Sequence, residues 1–375
     1  MKVLMQGRLD LYDIGGGDKV QIEQTTHELK KLGVEIDIST DLSTDYTKYD
    51  IIHIFQLDWT PETYLYAKKA HDLGKPVVLS PIHHSVREVK LFDDLYAFGF
   101  RRLSRRLFSS QFARDTFKNV YRSVFNFKKF YPTLISIVKG LKNLQRLALI
   151  FSDKILVQTE LEAKDINSTY KVNIDWVKIP NGVGEAYINA REYNNLLPFE
   201  NYIYCVGRIE ARKNQLNIIE GVKVLRKRTG NDLQLVFAGP RNLKHHMEYN
   251  SMFDEALREN SWVHYLGRVP YELNPSYFHF AKVGVSASWF ETSGLTSLEA
   301  LYCGANPVAA GDRAKEYLGE YAFYCQPDDI DSIAQAIELA YNAERPVIPD
   351  TLKSEFTWKT AAKKTFDVYT EVLNK

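Results

Sequence analysis

The chain has 375 residues, of which 45% are hydrophobic and 25% charged, and its formal net charge is +1. This composition predicts a globular protein with two domains of ordinary size, each with its own core. The three cysteines are odd in number and far apart, which argues against a disulfide framework or a cysteine metal site and favours reduced thiols in the cytoplasm. No apolar run approaches the roughly 20 residues that span a bilayer, and the opening apolar run is too short for a signal peptide.

The first half of the chain alternates short β-rich runs with helical patterns, which predicts parallel βαβ units. Apolar residues at helical spacing between the first two strands predict a helix that ends at Gly33. The predicted strands are Lys2–Met5, Val34–Ile38, Ile51–Phe55, Val77–Leu79, Ile155–Val157 and Val177–Ile179.

A basic and aromatic insert, at about residues 96–146, interrupts this alternation. Between Arg101 and Arg146 there are twelve Lys or Arg residues and a single acid, Asp115. The rest of the chain must therefore be acidic on balance, since the total charge is close to zero. Such asymmetry predicts a polyanionic partner for one surface of the protein.

Aromatic residues recur at intervals of four in this insert, with arginines beside them. The spacing predicts a helical stripe on a membrane surface, with rings among the lipid headgroups and cations against anionic lipid. Two alternatives are a helix packed on its own domain through the same rings and a nucleic-acid surface; we expect no nucleic-acid partner. The predicted membrane contacts are Arg101, Arg102, Arg105, Arg106, Phe108 and Phe112.

The alternation of strand and helix patterns then restarts. The predicted fold class is α/β, with two tandem doubly wound, Rossmann-like domains facing across a cleft. Residues 1–188 are predicted to form the first domain and 189–355 the second, with 356–375 a helix that crosses back to the first. The polar segment Asn189–Glu200 is the predicted linker. The second set of predicted strands is Tyr202–Val206, Leu233–Ala238, Val263–Leu266, Val283–Ser286, Pro307–Ala309 and Ala322–Cys325.

Two cations follow the first strand of the second half. The sequence GRIEARKNQ begins at Gly207 and places Arg208 and Lys213 at the carboxyl end of that strand. Fixed positive charge at this position suits a diphosphate leaving group, which must be stabilised as it departs. A solvated basic loop is the structural alternative.

Two carboxylates, Glu291 and Glu299, flank a turn of small residues in the segment 284–308. The turn Thr292-Ser293-Gly294 opens a helical pattern, and the free N–H groups at a helix start can hold an anion. Each carboxylate can accept hydrogen bonds from neighbouring hydroxyls. The combination predicts a nucleotide sugar as ligand.

These motifs together resemble the large family of retaining, two-Rossmann-domain (GT-B) glycosyltransferases that includes sucrose synthases and bacterial mannosyltransferases. The resemblance rests on GRIEARKNQ, on the glutamate pair and on the following CGANPV. It extends to the glycine loop Gly15-Gly16-Gly17 and to the sequence Ile179-Pro180-Asn181-Gly182-Val183 before the linker.

The resemblance implies a role for each matching residue. Arg208 and Lys213 would bind the donor diphosphate, and Glu299 would hold the ribose hydroxyls. Glu291 would contact the transferred sugar, together with the backbone N–H groups of Gly294, Leu295 and Thr296. Gly16 would let the backbone approach the phosphate or the acceptor. The family retains anomeric configuration without a clear enzymic nucleophile, so none is assigned here.

Histidines and small polar residues leave the specificity open. Either His83 or His84, which follow the predicted strand Val77–Leu79, could be the histidine that touches the donor sugar in the family. A structural histidine is the alternative for each. Thr292, Ser293 and Thr296 replace the residues more usual around the glycine of the turn, so the sugar itself is not predicted.

The sequence therefore predicts a metal-independent retaining glycosyltransferase, without a cofactor, that moves a sugar from a nucleotide-diphosphate donor to a lipid-linked or polysaccharide acceptor. Bacterial cell-surface glycan synthesis and the inner face of the cell membrane are the expected setting. The alternatives are a non-catalytic, membrane-associated protein on the same fold and a nucleotide-sugar epimerase. A dehydrogenase is disfavoured, because no G-x-G-x-x-G follows either first strand.

Overall fold

The structure, a computed structural model, describes residues 1–13, 16–96, 98, 100–243 and 246–374, with only the backbone at Phe100. Gly15 of the predicted glycine loop lies outside the described residues. The chain divides into two compact units. Unit 1 comprises Met1–Lys90, Leu103–Gly182 and Phe356–Lys375, and unit 2 comprises Leu91–Arg102 and Val183–Glu355.

Strands and helices alternate along most of the chain. The strands are β1 (Lys2–Gln6), β2 (Glu35–Ser39), β3 (Ile51–Phe55), β4 (Val77–Ser80), β5 (Lys154–Val157), β6 (Trp176–Lys178), β7 (Tyr202–Val206), β8 (Leu235–Ala238), β9 (Val263–Tyr265), β10 (Ala281–Ser286), β11 (Asn306–Ala310) and β12 (Phe323–Cys325). The helices are α1 (Gly17–Lys31), α2 (Glu62–Asp72), α3 (Val86–Leu95), α4 (Phe100–Leu107), α5 (Gln111–Phe125), α6 (Phe130–Lys139), α7 (Leu141–Ile150), α8 (Glu160–Tyr170), α9 (Glu185–Ile188), α10 (Gln215–Thr229), α11 (Met247–Glu259), α12 (Asn274–Phe280), α13 (Leu295–Tyr302), α14 (Asp312–Leu318), α15 (Ile330–Asn342), α16 (Asp350–Glu355) and α17 (Trp358–Leu373).

Each unit contains a six-stranded parallel sheet. The strand order is β2-β1-β3-β4-β5-β6 in unit 1 and β12-β11-β10-β7-β8-β9 in unit 2. The central strands are apolar runs because helices cover both faces of a doubly wound sheet, and β3 is buried at all five positions. The predicted fold class, two Rossmann-like α/β domains, is confirmed.

One polar residue, His53, lies in the core of unit 1. Its Nδ1 is 2.6 Å from the hydroxyl of Tyr369 on α17, and its Nε2 is 2.9 Å from the hydroxyl of Ser80. Burial lowers the pKa of His53 to about 3, so the imidazole is neutral at ordinary pH. The His53 ring therefore has a core position and joins helix α17 to the sheet.

The packing of α17 against unit 1 requires a glycine before the second unit begins. A Cβ atom on Gly182 would lie 2.0 Å from the backbone nitrogen of Trp358, the first residue of α17. Since backbone cannot be displaced cheaply there, only glycine fits at position 182. Lys154 on β5 also forms an ion pair with Glu371 on the same helix, at 2.9 Å.

Unit 2 begins a few residues before the predicted boundary at 188/189. The segment from Val183 belongs to unit 2 because Tyr187 on α9 is buried against Tyr271 and Phe278, both in that unit. The predicted linker Asn189–Glu200 therefore follows a helix that already packs on unit 2. The polar sequence identifies the irregular segment, but it does not show whether the core of unit 2 begins before or after that segment.

The basic insert differs from the single helical stripe that its spacing predicts. It folds as four helices, α4 to α7, and Phe108 lies between α4 and α5. The Phe108 ring packs on Phe117, and Phe112 packs on Tyr170 in the unit 1 core. Both rings are partly buried within unit 1, and their contact with a membrane stays a prediction. In α5 the buried residues are polar or charged, whereas those of α7 are mostly apolar.

The arginines at the start of the insert are also engaged by protein groups. Arg101 pairs with Asp93 at 2.9 Å and Arg102 with Glu248 at 2.8 Å, all within unit 2. Arg105 and Arg106 lie on α4, where Arg106 is exposed. Over the described residues, no helix is both long and apolar enough to cross a bilayer.

Candidate active site

Two glycines at adjacent strand ends open the site in unit 2. Gly207 follows β7 with φ of 155°, and Gly239 follows β8 with φ of 144°. A Cβ on Gly239 would lie 2.0 Å from the carbonyl oxygen of Gly207, so the two backbones touch. The aliphatic part of Lys213 lies 3.6 Å from the position of a Cβ on Gly207. The Lys213 stem therefore crosses the carboxyl end of the sheet over bare backbone.

The main feature of the site is the ion pair between Lys213 and Glu291. Lys213 Nζ lies 2.5 Å from Glu291 Oε1. Lys213 comes from the turn after β7, and Glu291 from the loop between β10 and α13, neighbouring strands of the sheet. Two residues 78 positions apart thus meet at the carboxyl edge, where doubly wound sheets bind ligands.

Two further charges, Glu210 and Arg212, complete this cluster. Arg212 lies 3.2 Å from Glu210 and 3.7 Å from Glu291, so one guanidinium joins both carboxylates. Arg208 lies 3.4 Å from Glu210, and its side chain is 45% exposed. Arg208 is thus the cation of this group most open to a ligand. Sequence reasoning missed Glu210 and Arg212, although both lie inside the motif that drew attention to their neighbours.

Asn214 fixes the turn that presents Lys213. It adopts the left-handed conformation, with φ of 64°, directly before α10. Its side chain donates to the carbonyl oxygens of Ala287 and Pro327, at 3.0 and 2.7 Å, and accepts from Trp289 Nε1 at 3.2 Å. These bonds hold the turn after β7 against the loop after β10. Asn214 therefore sets the distance between Lys213 and Glu291.

The charges determine the protonation state of Glu291. Burial alone would raise the pKa of this carboxyl, but the charges of Lys213 and Arg212 outweigh it and hold the pKa at about 2. Glu291 is therefore ionised at every physiological pH. An ionised, partly buried carboxylate is an acceptor of hydroxyl hydrogen bonds.

Glu299 has the opposite electrostatic character. It lies on α13, and burial raises its pKa to about 7, although the nearby hydroxyls of Tyr187 and Tyr271 and the charge of Lys213 oppose the shift. The carboxyl group is thus close to half-protonated at neutral pH. A ligand hydroxyl or a small change in charge nearby would move this equilibrium.

The turn before α13 has the geometry that the small residues predict. Gly294 has φ of 43° and precedes Leu295, the first residue of α13. A Cβ on Gly294 would lie 2.3 Å from the hydroxyl of Tyr317, so a side chain is excluded on two grounds. The first helical turn presents the backbone N–H groups of Leu295 and Thr296, which can bind an anion.

Gly16 in unit 1 lies beside an ion-pair network. Arg8 contacts both Asp10 and Asp18 at 2.5 Å, and Lys129 contacts Asp10 at 2.6 Å. A Cβ on Gly16 would lie 2.8 Å from an oxygen of Asp18. The backbone of Gly16 is extended, with φ of −167°, which any residue can adopt. Glycine is favoured at this position because a side chain would be too close to the Asp18 carboxylate.

The paired histidines of unit 1 share one carboxylate that sequence reasoning missed. Asp58 accepts from His83 Nδ1 at 2.5 Å and lies 3.0 Å from His84 Nδ1. The two imidazoles, with hydrogen bonds, hold the pKa of Asp58 well below its usual range against the raising effect of burial. His83 is fully buried, whereas His84 retains 8% exposure and stacks on Trp59. His84 is therefore the more accessible of the two.

The unit 2 cluster can bind an anion and several hydroxyls at once. Arg208 and Lys213 supply positive charge, the start of α13 supplies N–H donors, and the two glutamates supply acceptors. No set of three or more His, Cys, Asp or Glu residues that could hold a metal ion occurs in the described parts of the chain.

Comparison with known proteins defines the class of this site. Residues 189–364 match the family described as "Glycosyl transferases group 1". This match covers the unit 2 cluster from Arg208 to Glu299. This segment of the chain is thus similar to that family, and the two α/β units have the fold of the GT-B glycosyltransferases.

Individual relatives agree with this class. O-antigen chain mannosyltransferase B of Escherichia coli is 26% identical over 197 residues, which is 51% of this chain and 51% of that protein. The match thus spans about half the length of this curated relative. Sucrose-phosphate synthase of Thermosynechococcus elongatus superposes with a TM-score of 0.67 at 14% identity, covering 100% of this chain and 99% of that one. HepE of Anabaena, solved in complex with UDP, gives 0.67 at 13% identity, covering 99% and 100%.

Proposed function

We propose that this protein is a retaining glycosyltransferase that moves a sugar from a nucleotide-diphosphate donor to a lipid-linked or polysaccharide acceptor. The observation that carries the proposal is the Lys213–Glu291 pair, which lies with Arg208 at the carboxyl edge of the unit 2 sheet. The family match over residues 189–364 supports this reading. The mannosyltransferase relative supports a role in bacterial cell-surface glycan synthesis.

In this mechanism the cations stabilise the departing diphosphate. Arg208 is the exposed cation and binds a phosphate oxygen from its position beside Glu210. The positive charge of Lys213 acts on both glutamates, since it lowers the pKa of Glu291 and of Glu299. Negative charge that develops on the leaving group would be met by Lys213, as preorganised charge is the largest common contribution to catalysis.

The glutamates bind hydroxyl groups in this proposal. Ionised Glu291 accepts from hydroxyls of the transferred sugar, and Glu299 accepts from the ribose. Neither acts as the nucleophile. The bond between the anomeric carbon and the phosphate oxygen breaks, the acceptor oxygen bonds to the same face, and its proton passes to the departing phosphate. Configuration at the anomeric carbon is therefore retained.

The same cations make a divalent metal unnecessary for the leaving group, and no organic cofactor is part of the proposal. In unit 1, His84 is the proposed sugar-binding histidine, because it is the more exposed member of the pair on Asp58. The acceptor places the protein at the inner face of the cell membrane, as a peripheral protein.

A panel of nucleotide sugars tests the proposal. The true donor, added at about a hundred times its Kd, should stabilise the protein by about 2.7 kcal/mol in thermal unfolding. NMR of the product with that donor should show the donor's anomeric configuration, and chelation of divalent metal should leave the rate unchanged. An inverted product would exclude the retaining mechanism. Donor binding without transfer to any glycan or lipid-linked acceptor would favour a non-catalytic protein.

A further inference from the structure

The hairpin formed by α5 and α6 in unit 1 has inverted polarity. On α6, Pro132, Thr133 and Ser136 face inward and are buried. Apart from Lys139 at its C-terminal end, the exposed large side chains of this ten-residue helix are apolar or aromatic: Phe130, Tyr131, Leu134, Ile137 and Val138. A surface helix of a globular protein normally has the reverse arrangement. Burial within unit 1 therefore does not account for the apolar side of α6.

Helix α5 shows the same inversion. Its exposed apolar residues lie in its last two turns and are Val120, Tyr121, Val124 and Phe125. Phe127, in the turn that connects it to α6, is 84% exposed. Its buried residues are all polar or charged, namely Gln111, Arg114, Lys118, Asn119 and Ser123. Because two consecutive helices have the same inversion, we infer that their exposed apolar residues have a function at the surface.

Specific contacts hold the polar sides inward, so the orientation of both helices is fixed. Asn119 donates to the carbonyl oxygen of Trp59 at 2.9 Å, and Arg114 donates to that of Phe108 at 2.8 Å. Lys129, in the turn between the helices, forms a 2.6 Å ion pair with Asp10. Rotating either helix to bury its apolar side would break these bonds and leave charges buried without partners.

From Thr116 to Ser152, which covers most of this hairpin and the helix after it, every charged side chain is basic, although Asp41 of unit 1 lies near Lys128. Lys128, Lys139 and Lys142 are exposed in the same stretch. Exposed Phe and Tyr side chains that share a segment with exposed lysines are complementary to the interface of an anionic bilayer, where rings lie at headgroup depth and cations meet phosphate.

We propose that this surface docks on an anionic lipid bilayer, and we call it the hairpin face. It comprises Val120, Tyr121, Val124, Phe125, Phe127, Phe130, Tyr131, Leu134, Ile137 and Val138. The inference rests on the proposed membrane location and names its contact surface, which differs from the segment of Arg101 to Phe112 that the sequence predicts. Helix α6 is about 15 Å long, against a hydrocarbon core of roughly 30 Å, so the hairpin lies in the interface and does not span it.

Flotation with vesicles tests the proposal directly. The intact protein should float with phosphatidylcholine vesicles that contain phosphatidylglycerol. The combined variant Phe125→Ser, Phe127→Ser and Val138→Ser should bind these vesicles at least about tenfold more weakly, because its apolar insertion is lost. The control Met247→Ser with Val347→Ser removes two exposed apolar side chains of unit 2 and should bind as the parent does.

Charge and depth are measured separately. Replacing Lys128, Lys139 and Lys142 by Gln should abolish the preference for phosphatidylglycerol over pure phosphatidylcholine vesicles. The variant Phe127→Cys allows a polarity-sensitive fluorophore to be attached, because native Cys205, Cys303 and Cys325 are buried. The emission should shift to the blue on vesicles. Equal flotation of the apolar variant and the parent, or an unshifted emission, would overturn the proposal.

The outcomes separate this inference from the proposed function. Donor binding in the absence of vesicles, together with failure to float, refutes the docking surface alone. Flotation without binding of any nucleotide sugar refutes the proposed function alone. A parent that is dimeric in sedimentation, does not float, and becomes monomeric in the apolar variant would show that a second copy covers the hairpin face.

Discussion

The unit 2 cluster and the hairpin face of unit 1 break the usual rule of burial in opposite ways. Around Lys213, charges are withdrawn from water and paired with each other. On the hairpin, apolar side chains are presented to water while polar ones are buried. Neither arrangement is what stability alone favours, since buried ions and exposed apolar patches both cost free energy. The two regions thus suit ligands of opposite chemistry, which in our proposals are a polar anion and a lipid bilayer.

The largest expected effect is at the cluster. Lys213→Ala should lower kcat by about a hundredfold to a thousandfold, because fixed charge opposite the leaving group is lost. Glu291→Gln should lower it comparably by removing the ionised acceptor. Steady-state kinetics with the donor found in the panel measure both, with Lys223→Ala, an exposed lysine of the same unit, as the control. Activity near the parental value in either variant would refute the site.

Asn214 holds the turn that carries Lys213, and the expected effect of replacing it is a loss of stability. Asn214→Ala should lower the free energy of unfolding by about 2–4 kcal/mol, since it removes three buried hydrogen bonds and strains the left-handed backbone. Asn214→Gly relieves the strain alone and should recover about 1 kcal/mol of it. Chemical denaturation measures both variants. If the glycine variant regains full stability, the side-chain bonds are not what fix the turn.

The two glutamates within the cluster should differ in their response to pH. Glu299 ionises near neutral pH, so nucleotide-sugar affinity should rise by about tenfold between pH 6 and pH 8, as the acceptor carboxylate forms. The donor's phosphates do not titrate in this range. Titration calorimetry of Glu299→Gln should show weak binding that no longer changes with pH. Glu291, with a pKa of about 2, should contribute no such slope.

The smallest expected effect is that of substitutions in the hairpin face on the stability of the protein in the absence of lipid. The variant with Ser at 125, 127 and 138 should change the free energy of unfolding by less than about 1 kcal/mol in the absence of lipid, since these side chains are exposed. Thermal and chemical unfolding measure this against the parent. A loss of several kcal/mol would mean that the face packs on protein, as an ordinary core does.

The strands were predictable because each has a one-dimensional signature. Both β3 and β7 begin and end at the predicted residues, since buried parallel strands are continuous apolar runs. In a parallel sheet all carboxyl ends lie at the same edge, so residues that follow β7 and β10 are predicted to lie close together. The pairing of Lys213 with Glu291 follows that logic, though its geometry comes only from the structure.

Other parts of the site had no such signature. Asn214 and Asp58 act through partners distant in sequence, and nothing local distinguishes them from surface polar residues. The hairpin illustrates a different limit, because periodicity shows that a helix has two sides but not which of them faces the core. Phe108 and Phe112 were assigned to the outside for that reason, whereas Tyr121 and Phe125 at the same spacing are the exposed rings.

The contact of α17 with unit 1 has a consequence for the order of events during synthesis. The ribosome completes all of unit 2 before residues 356–375 emerge, yet these residues supply Tyr369 to His53 and Trp358 to the bare backbone of Gly182. Until then the first sheet lacks the helix that packs on it through Lys154 and His53, and His53 has only Ser80 as a partner. Unit 1 is thus incomplete until residues 356–375 are synthesised. In a stalled or truncated chain, the incomplete unit 1 would be exposed to chaperones and proteases.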